Sequence, residues 1–250
     1  MNQSNEKAIE ILKLKAKELH DRPRILNPFT KNPEADVLLN NIELYPHIFV
    51  FGCIFNRQTL AWKAWLAPCV IAKEIGSPEF SDFLGLEEKY LIDLITEKKL
   101  HWMSIVMGTN LYRAIHRIHT SYKNDASGIW HNGNPSSIEV VKRFEEFDGI
   151  GQKISSMAVN VLVRDFKVNL SGRSDIDISS DVHVGRVLRR LGIVGKNANK
   201  NEIILAARQL VPEYPGFFDS LIWEIGEAWC RPSSPKCDSC FLNDYCPKII

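Results

Sequence analysis

The chain has 250 residues, of which 45% are hydrophobic, so it can bury one sizeable core or two modest lobes that share it. Its formal net charge is only +1, which excludes a strong overall field, and any polyanion would have to be bound by a local basic face. The sequence has no run of about 18 apolar residues and no signal-peptide pattern, so we expect a cytoplasmic protein that does not enter a membrane.

Apolar residues recur at steps of three and four along most of the sequence, a spacing that predicts helices. The clearest such runs extend over Ala8–Leu19, Tyr90–Ile95, Met103–Ile118 and Ile138–Phe147. Strand-like alternation is nearly absent from the sequence, so we predict an all-α fold with short connections. The longest irregular segment, Asn169–Ser180, is polar, which predicts either a surface insertion or a loop near a site.

An apolar helical run, Ile48–Phe55, is followed in the first half of the chain by the polar run Asn56–Thr59 (NRQT). Trp62 and Trp65 come next. In this aromatic-rich region we expect core residues rather than a surface on which nucleic-acid bases stack.

The run from Phe147 to Lys153 (FDGIGQK) joins two helical patterns and holds two glycines around one aliphatic residue. Glycine permits a tight turn, and at Gly149 and Gly151 it leaves backbone N–H groups open to a phosphate. The start of the next helix adds a partial positive charge. Such a turn holds a phosphodiester without reading its bases, although ordinary turns between helices have the same pattern.

A second polar motif begins at Asp181, where the sequence Asp181-Val182-His183 is followed by Arg186 and enters another helical run. Aspartate is a common N-cap residue, so helix capping alone accounts for its position.

Four of the six cysteines lie in the last tenth of the chain, namely Cys230, Cys237, Cys240 and Cys246. Uneven short spacing lets a single loop supply four thiolates to one iron–sulfur cluster. A four-cysteine zinc site usually pairs two CxxC units, and here only Cys237 and Cys240 form one. We therefore predict a [4Fe–4S] cluster, with zinc as the alternative. Cys53 and Cys69 lie in apolar surroundings and are predicted to be small core residues.

Together these motifs resemble endonuclease III and its relatives, a family of helix-hairpin-helix DNA glycosylases with a C-terminal [4Fe–4S] cluster loop. The motifs that carry the resemblance are, in chain order, residues 147–153, 181–186 and 230–246. Phe147 and Asp148 depart from the family, which typically has leucine and proline at these positions.

The resemblance implies two helical lobes, with a DNA site in the cleft between them. The first is a six-helix barrel over residues 35–157, and the helix-hairpin-helix, residues 136–166, spans the junction. The second lobe combines residues 1–34 with residues 158–250, and it contains the cluster loop.

The same resemblance implies that Lys153 is the catalytic lysine and that Asp181 is the catalytic aspartate. In the bifunctional members the lysine amine attacks the sugar C1′, displaces the base and forms a Schiff base, and β-elimination then nicks the strand. The amine must be neutral to attack, which burial or a nearby positive potential favours. The aspartate stabilises the oxocarbenium-like sugar as the glycosidic bond breaks.

The spacing between Lys153 and Asp181 is longer than in endonuclease III, and the surplus falls in Asn169–Ser180. A shifted alignment would make Asp175 or Asp177 the catalytic carboxylate. We prefer Asp181 because it alone precedes a histidine and an arginine at the family's spacing.

Chemistry on a base inside a duplex requires the nucleotide to be extruded and the gap to be filled. In the family a glutamine from a segment similar to Asn56–Thr59 fills this gap, which makes Gln58 the inserted residue here. A second residue, inserted into the duplex from the side opposite Gln58, is expected from Gly108–Tyr112 (GTNLY), where the family has a turn that begins with glycine.

Residues 141–200 contain 11 lysines and arginines against 7 aspartates and glutamates, which indicates a local basic face and salt-dependent binding. The loop between the first two cluster cysteines offers further cations to a phosphate. The predicted DNA-contacting residues besides Gln58 are Gly149, Gly151, His183, Arg186, Arg231 and Lys236. Among these, His183 fixes local structure or contacts a phosphate.

The leading hypothesis is a monomeric glycosylase with AP-lyase activity on a damaged base in double-stranded DNA, either an oxidised pyrimidine or 8-oxoguanine. One alternative is a monofunctional glycosylase that uses Asp181 and water. Another is a non-catalytic DNA-binding iron–sulfur protein. In a prokaryote we expect the protein to be associated with the nucleoid.

Overall fold

The structure is a computed structural model that describes residues 3–249. Over this range the chain forms helices and short 3-10 turns, and its one β-contact is an isolated parallel bridge between Ser136 and Ser171. The α-helices are, in chain order, α1 (Gln3–Asp21), α2 (Pro33–Asn40), α3 (Pro46–Phe55), α4 (Ala61–Ile75), α5 (Phe80–Leu84), α6 (Glu88–Glu97), α7 (Ser104–Tyr122), α8 (Gly128–His131), α9 (Ser137–Glu145), α10 (Gln152–Arg164), α11 (Val182–Arg190), α12 (Lys200–Leu210) and α13 (Asp219–Ala228). The predicted all-α fold is confirmed.

Polar side chains cap several helix starts and thereby fix where these helices begin. Asn32 accepts hydrogen bonds from two N–H groups of α2, and Pro33 follows it as the first helical residue. Asn199 and Glu202 form a capping box at α12. Asp181 caps α11.

The core is centred on α3, whose ten residues are all buried. Phe49 stacks on Trp65 of α4, with the ring centroids 5.5 Å apart. A side chain at Gly52 would lie 2.3 Å from the Trp65 ring, so glycine lets α3 and α4 approach closely. Helix α3 also packs against α2, α7 and α10, which explains why it is apolar on all sides.

Cys53 and Cys69 are buried among these helices, as predicted. Burial raises the pKa of the Cys69 thiol to about 12, so this cysteine is chemically inert. Trp65 is a core residue as expected. Trp62 instead lies half-buried at the edge of the core, with the Lys31 amine 4.7 Å from its ring centroid.

The helices fall into two packing groups that share one continuous apolar core. Helices α2 to α7 pack mainly on one another, and α8 and α9 join them through ring contacts of Trp130 and Phe144 with Phe49. Helix α11 packs on α12 and α13, and α1 packs on α13. Helix α10 contacts α3, α9 and the 3-10 turn Pro215–Phe218, and so lies between the groups. The lobe boundary at residues 157 and 158 stays a prediction, and residues 1, 2 and 250 of those lobes lie outside the described residues. From residue 3 to 249, no helix has both the length and the apolar character needed to cross a membrane.

Candidate functional site

The hairpin joins α9 to α10 through a turn in which two glycines have different surroundings. Gly149 has φ of +89°, and a side chain there would lie 2.5 Å from Asn110 Nδ2, so both the backbone and the available space require glycine. Gly151 is the N-cap of α10, and a side chain there would meet no atom within 4 Å. Buried Ile150 anchors the turn between them. The turn therefore presents an open surface at the start of α10, where a phosphate can approach.

Asp148 does not leave an unpaired negative charge beside this surface. Its carboxylate accepts a hydrogen bond of 2.9 Å from Arg113 of α7, and the neighbouring Glu146 accepts one of 2.7 Å from Arg117. Both side chains of the Asp148 pair are more than half exposed, so the pair contributes little to stability. The effect of the pair is electrostatic. The positive charge of Arg113 offsets the negative charge of Asp148, the residue at the position where the family typically has proline.

Lys153 lies in the first turn of α10 and is half-buried. Within the described part of the chain its amine makes no hydrogen bond or ion pair, unlike the amine of Lys167, which donates to the backbone of His20. The amine is therefore available to a ligand at the open end of the hairpin.

Asp181 precedes the first turn of α11, and its Oδ1 accepts a hydrogen bond of 2.8 Å from Val184 N. The side chain is partly exposed, and no ion pair engages it in residues 3–249. Lys153 and Asp181 thus lie at the starts of two successive long helices, and no hydrogen bond joins them in this part of the chain. The helix N-terminus at each position favours negative charge nearby.

The rival carboxylates are placed differently. Asp177 accepts two hydrogen bonds of 2.8 Å from the guanidinium of Arg208, and Asp175 is exposed. Asp177 is thus neutralised by a bidentate pair, whereas Asp175 and Asp181 are both accessible, so the choice of Asp181 continues to rest on the histidine and arginine that follow it in the sequence.

Residues 169–180, which we call the strap, are held against the molecule along most of their length. Ile176 and Ile178 are fully buried. The Ile176 carbonyl accepts a hydrogen bond of 2.7 Å from Gly216 N, and the Asp177 carbonyl accepts one of 3.0 Å from Asn160 of α10. Residues 171–175 are exposed and residues 178–180 are buried, so the segment is part surface and part core, and its nearness to a site stays a prediction.

His183 lies in the first turn of α11 beside Trp223 and Gly226 of α13, and Arg186, one turn later, faces α13 and the start of the C-terminal loop. Arg186 donates to the carbonyls of Cys230 at 2.5 Å and Gly226 at 2.7 Å, and to His183 Nδ1 at 3.2 Å. Four residues on, Arg190 donates to Cys230 Sγ at 3.5 Å and to backbone carbonyls of the same loop. These contacts favour a role of Arg186 and His183 in fixing local structure.

One pocket at the C-terminus is lined by all four predicted ligand cysteines, Cys230, Cys237, Cys240 and Cys246. Leu191, Ile225 and Leu242 complete its apolar lining. Besides the contact from Arg190, Lys248 N donates to Cys246 Sγ at 3.4 Å. Four thiols that line one pocket, with N–H donors to two of the sulfurs, fit an iron–sulfur cluster.

Two cations lie on the solvent side of the same loop. Arg231 and Lys236, between the first two cysteines, are both exposed. They can reach a polyanion that lies against the loop.

Gln58 is exposed in the bend after α3 and has φ of +52°, a conformation that costs free energy for any residue except glycine. Trp102 Nε1 donates to the Gln58 carbonyl at 3.1 Å, and His101 Nε2 donates to the Arg57 carbonyl at 2.8 Å. The turn that contains His101 and Trp102 therefore supports the bend that presents Gln58.

The expected turn at Gly108–Tyr112 is wrong, because these residues lie inside α7. Gly108 is buried, and a side chain there would lie 2.5 Å from Ile92 Cγ1, so this glycine serves the packing of α6 on α7. The turn that accompanies Gln58 precedes α7, and its Trp102 is 69% exposed. Trp102 was not among the predicted site residues, although a tryptophan just ahead of a helix in a polar stretch was a usable signal.

The comparisons with known proteins agree with this geometry. Residues 230–246 match the family model of the iron–sulfur binding domain of endonuclease III. Endonuclease III of Thermotoga maritima is 29% identical over 113 residues, which are 45% of this chain and 46% of that protein. Endonuclease III homolog 2, chloroplastic, of Arabidopsis thaliana is 28% identical over 109 residues, 41% of this chain and 26% of that protein. The chain thus spans less than half the length of these curated relatives.

Solved structures resemble the chain over nearly its whole length. A trapped endonuclease III–DNA covalent intermediate has a TM-score of 0.63 at 16% identity and covers 99% of this chain and 97% of its own. A non-covalent endonuclease III–DNA complex has a TM-score of 0.65 at 15% identity, with the same coverage. A thermostable thymine-DNA glycosylase has a TM-score of 0.63 at 16% identity and covers 98% and 97%. These likenesses establish the fold.

The chain therefore has the all-helical fold of these endonuclease III structures, and its residues 230–246 match an iron–sulfur binding domain. It is similar to endonuclease III in fold, in this loop and over part of its sequence, as the sequence resemblance predicted. The predicted [4Fe–4S] cofactor is confirmed by the match of the cysteine loop.

Proposed function

We propose that this chain is a base-excision DNA glycosylase with AP-lyase activity. The observation that carries the proposal is the Lys153 amine, which is half-buried and has no partner in the described residues at the open end of the hairpin. The curated relatives are named endonuclease III, and one similar structure is a trapped covalent intermediate of that enzyme with DNA.

In the proposed reaction the neutral Lys153 amine attacks the sugar C1′, the C1′–N bond breaks, and the base leaves with a proton. The amine passes one proton to Asp181. The sugar ring then opens as the C1′–O4′ bond breaks, O4′ takes up a proton and the C1′=N iminium forms, and loss of the C2′ proton to water expels the 3′ phosphate by β-elimination. The Asp181 carboxylate stabilises the positive charge that develops on the sugar and accepts the proton from the lysine. The cluster supplies a scaffold for the loop and takes part in no step.

DNA docking follows from the same surfaces. The open face at Gly151 receives a backbone phosphate, and Arg231 and Lys236 contact a second one, so binding weakens as salt increases. Gln58 fills the gap left by the extruded nucleotide, and exposed Trp102 beside it stacks on a neighbouring base.

Borohydride trapping on a duplex with one abasic site tests the lyase proposal. We expect a covalent adduct with the wild type, none with Lys153→Gln, and slow formation with Asp181→Asn. Lys196→Gln, which removes an exposed lysine far along the chain, serves as the matched control and should trap like the wild type.

The absence of any wild-type adduct would sink the lyase proposal, and the remaining readouts separate the alternatives. Base release with strand cleavage only after alkali would identify a monofunctional enzyme that uses Asp181 and water. Binding without base release would identify a non-catalytic DNA-binding protein. A panel of duplexes with oxidised pyrimidines or 8-oxoguanine assigns the base.

A further inference from the structure

Asp219, which takes no part in the proposed reaction, lies in the first turn of α13 and is 5% exposed. Its Oδ1 accepts two hydrogen bonds from one residue of the strap, from Ser179 N at 2.6 Å and from Ser179 Oγ at 2.5 Å. A carboxylate this deeply buried is costly unless it is hydrogen-bonded. The two bonds therefore tie α13 firmly to the end of the strap.

Ser179 passes this constraint to Asp181. The Ser179 carbonyl accepts a hydrogen bond of 2.7 Å from Asp181 N, and Asp181 then caps α11 through its contact with Val184 N. A continuous series of hydrogen bonds thus runs from buried Asp219 through the strap to the carboxylate that faces the proposed substrate.

Other contacts fix the strap only up to Ile178. Asp177 is held by Arg208 and Asn160, and the isoleucines are held by burial. Ser180, the last residue of the strap, is buried, and its hydroxyl has no partner in the described part of the chain. The polar anchor of the final two residues is therefore the pair formed by Ser179 and Asp219.

Charged groups from two neighbouring elements act on Asp219. Arg164 of α10 favours its ionised form, and Asp181 opposes it. Arg164 is already paired with Asp165, so it attracts Asp219 without a direct bond.

We infer that Asp219 is a positioning residue, which sets the place of the Asp181 carboxylate through the backbone of Ser179. The inference rests on the proposed function, in which Asp181 acts on the sugar. Because Asp219 is buried, it acts without touching DNA. A carboxylate displaced by about 1 Å slows a reaction by roughly 100-fold.

The test compares Asp219→Ala with Asp219→Asn in the cluster-loaded protein, by single-turnover base release and by affinity for a duplex with an uncleavable abasic analogue. Alanine removes the acceptor, so we expect base release to slow by roughly 100-fold while the Kd changes less than about twofold. Asparagine keeps an acceptor oxygen and should restore the rate to within about threefold of wild type, because an amide oxygen also accepts from N–H. Glu227→Gln, which changes an exposed carboxylate on the same helix as Asp219, is the matched control and should keep the wild-type rate.

Hydrogen exchange gives a readout that is independent of activity. The Ser179 amide should exchange faster in Asp219→Ala than in wild type, and should stay protected in Asp219→Asn. If Asp219→Ala does not fold, Ser179→Ala takes its place: it removes the hydroxyl bond alone and should slow base release by a smaller factor.

Three outcomes would overturn the inference while the wild type remains active. These are a wild-type rate in Asp219→Ala (or in Ser179→Ala as its substitute), a loss of DNA affinity as large as the loss of rate, and an Asp219→Asn variant as slow as the alanine variant. A wild type that releases no base and traps no adduct would instead overturn the proposed function, and this inference with it.

Discussion

Gly149 and Gly151 are separated by one residue, and their surroundings call for glycine for different reasons. At Gly149 the positive φ and the nearby Asn110 amide leave no room for a side chain. At Gly151 the backbone is extended and the space outside is open. The sequence pattern alone predicted a turn at both positions, and it could not separate the two requirements because they depend on contacts with α7.

We predict that Gly149→Ala and Gly151→Ala separate folding from DNA binding. Gly149→Ala should lower the free energy of unfolding by roughly 2 kcal/mol, since alanine pays for the left-handed backbone and for the contact with Asn110. Gly151→Ala should change it by less than about 0.5 kcal/mol, and should weaken binding to duplex DNA several-fold because its methyl group occupies the phosphate surface. Urea unfolding and fluorescence anisotropy measure the two effects. Equal losses of stability would contradict this division.

At the scale of elements, periodicity located the helices well, since the run Ile138–Phe147 became α9 and the run Met103–Ile118 became the body of α7. The prediction of a turn at Gly108–Tyr112 was wrong because a glycine inside a helix and a glycine in a turn look alike in sequence. What decides between them here is the close approach of α6, a long-range contact.

The strap also shows that long-range contacts cannot be predicted from local sequence. Its polar composition indicated an irregular segment, which was right, but the pairing of Asp177 with Arg208 and of Ser179 with Asp219 joins residues far apart in sequence. No local sequence pattern predicts such contacts. The catalytic roles of Lys153 and Asp181 stay predictions, and what the compact motifs predicted correctly is that each residue lies at the start of a helix.

Helix α11 and the cysteine loop depend on each other through Arg190, and we predict that Arg190→Ala loosens the cluster. The variant loses the donor to Cys230 Sγ and to two loop carbonyls. Loss of such outer contacts weakens metal retention by about tenfold or more. Visible absorbance, followed after addition of an iron chelator, should decay faster than in wild type.

The control for this measurement is Arg208→Ala, which removes a guanidinium from α12 and breaks only the pair with Asp177. Its absorbance should decay at the wild-type rate. If both variants lose absorbance equally fast, general destabilisation rather than the loop contact is responsible.

For the whole molecule, the pH dependence of stability involves two histidines, His47, which is buried, and His20, which is half-buried. Burial lowers the pKa of His47 to about 4, and burial together with Arg164 lowers the pKa of His20 to about 4. In the unfolded chain both would titrate near about 6.5. The folded state therefore stays neutral while the unfolded state binds protons, and stability decreases as pH falls from 6.5 to 4. For His47 the loss approaches about 3 kcal/mol.

Asp219 acts in the opposite sense, because burial raises the pKa of its carboxyl group to about 6. The folded state binds this proton before the unfolded state does, so this contribution to stability rises as pH falls through 6 towards 4. We predict that His20→Phe, which keeps the stacking on Phe217, makes the decrease in unfolding free energy between pH 7 and pH 4.5 shallower. Asp219→Asn should make it steeper. Urea unfolding at each pH measures both slopes, and slopes that change in the same direction would refute the assignment.

The turn ahead of α7 has one more consequence. Of the six tryptophans in the chain, all of which lie within the described residues, only Trp102 is exposed. Its ring nitrogen donates a hydrogen bond to the Gln58 carbonyl. The ring is 69% exposed, with the His101 ring stacked beside it at a centroid distance of 6.2 Å, and its emission changes when another planar group covers the exposed face. Intrinsic fluorescence therefore reports on occupancy of this side of the molecule without any added label.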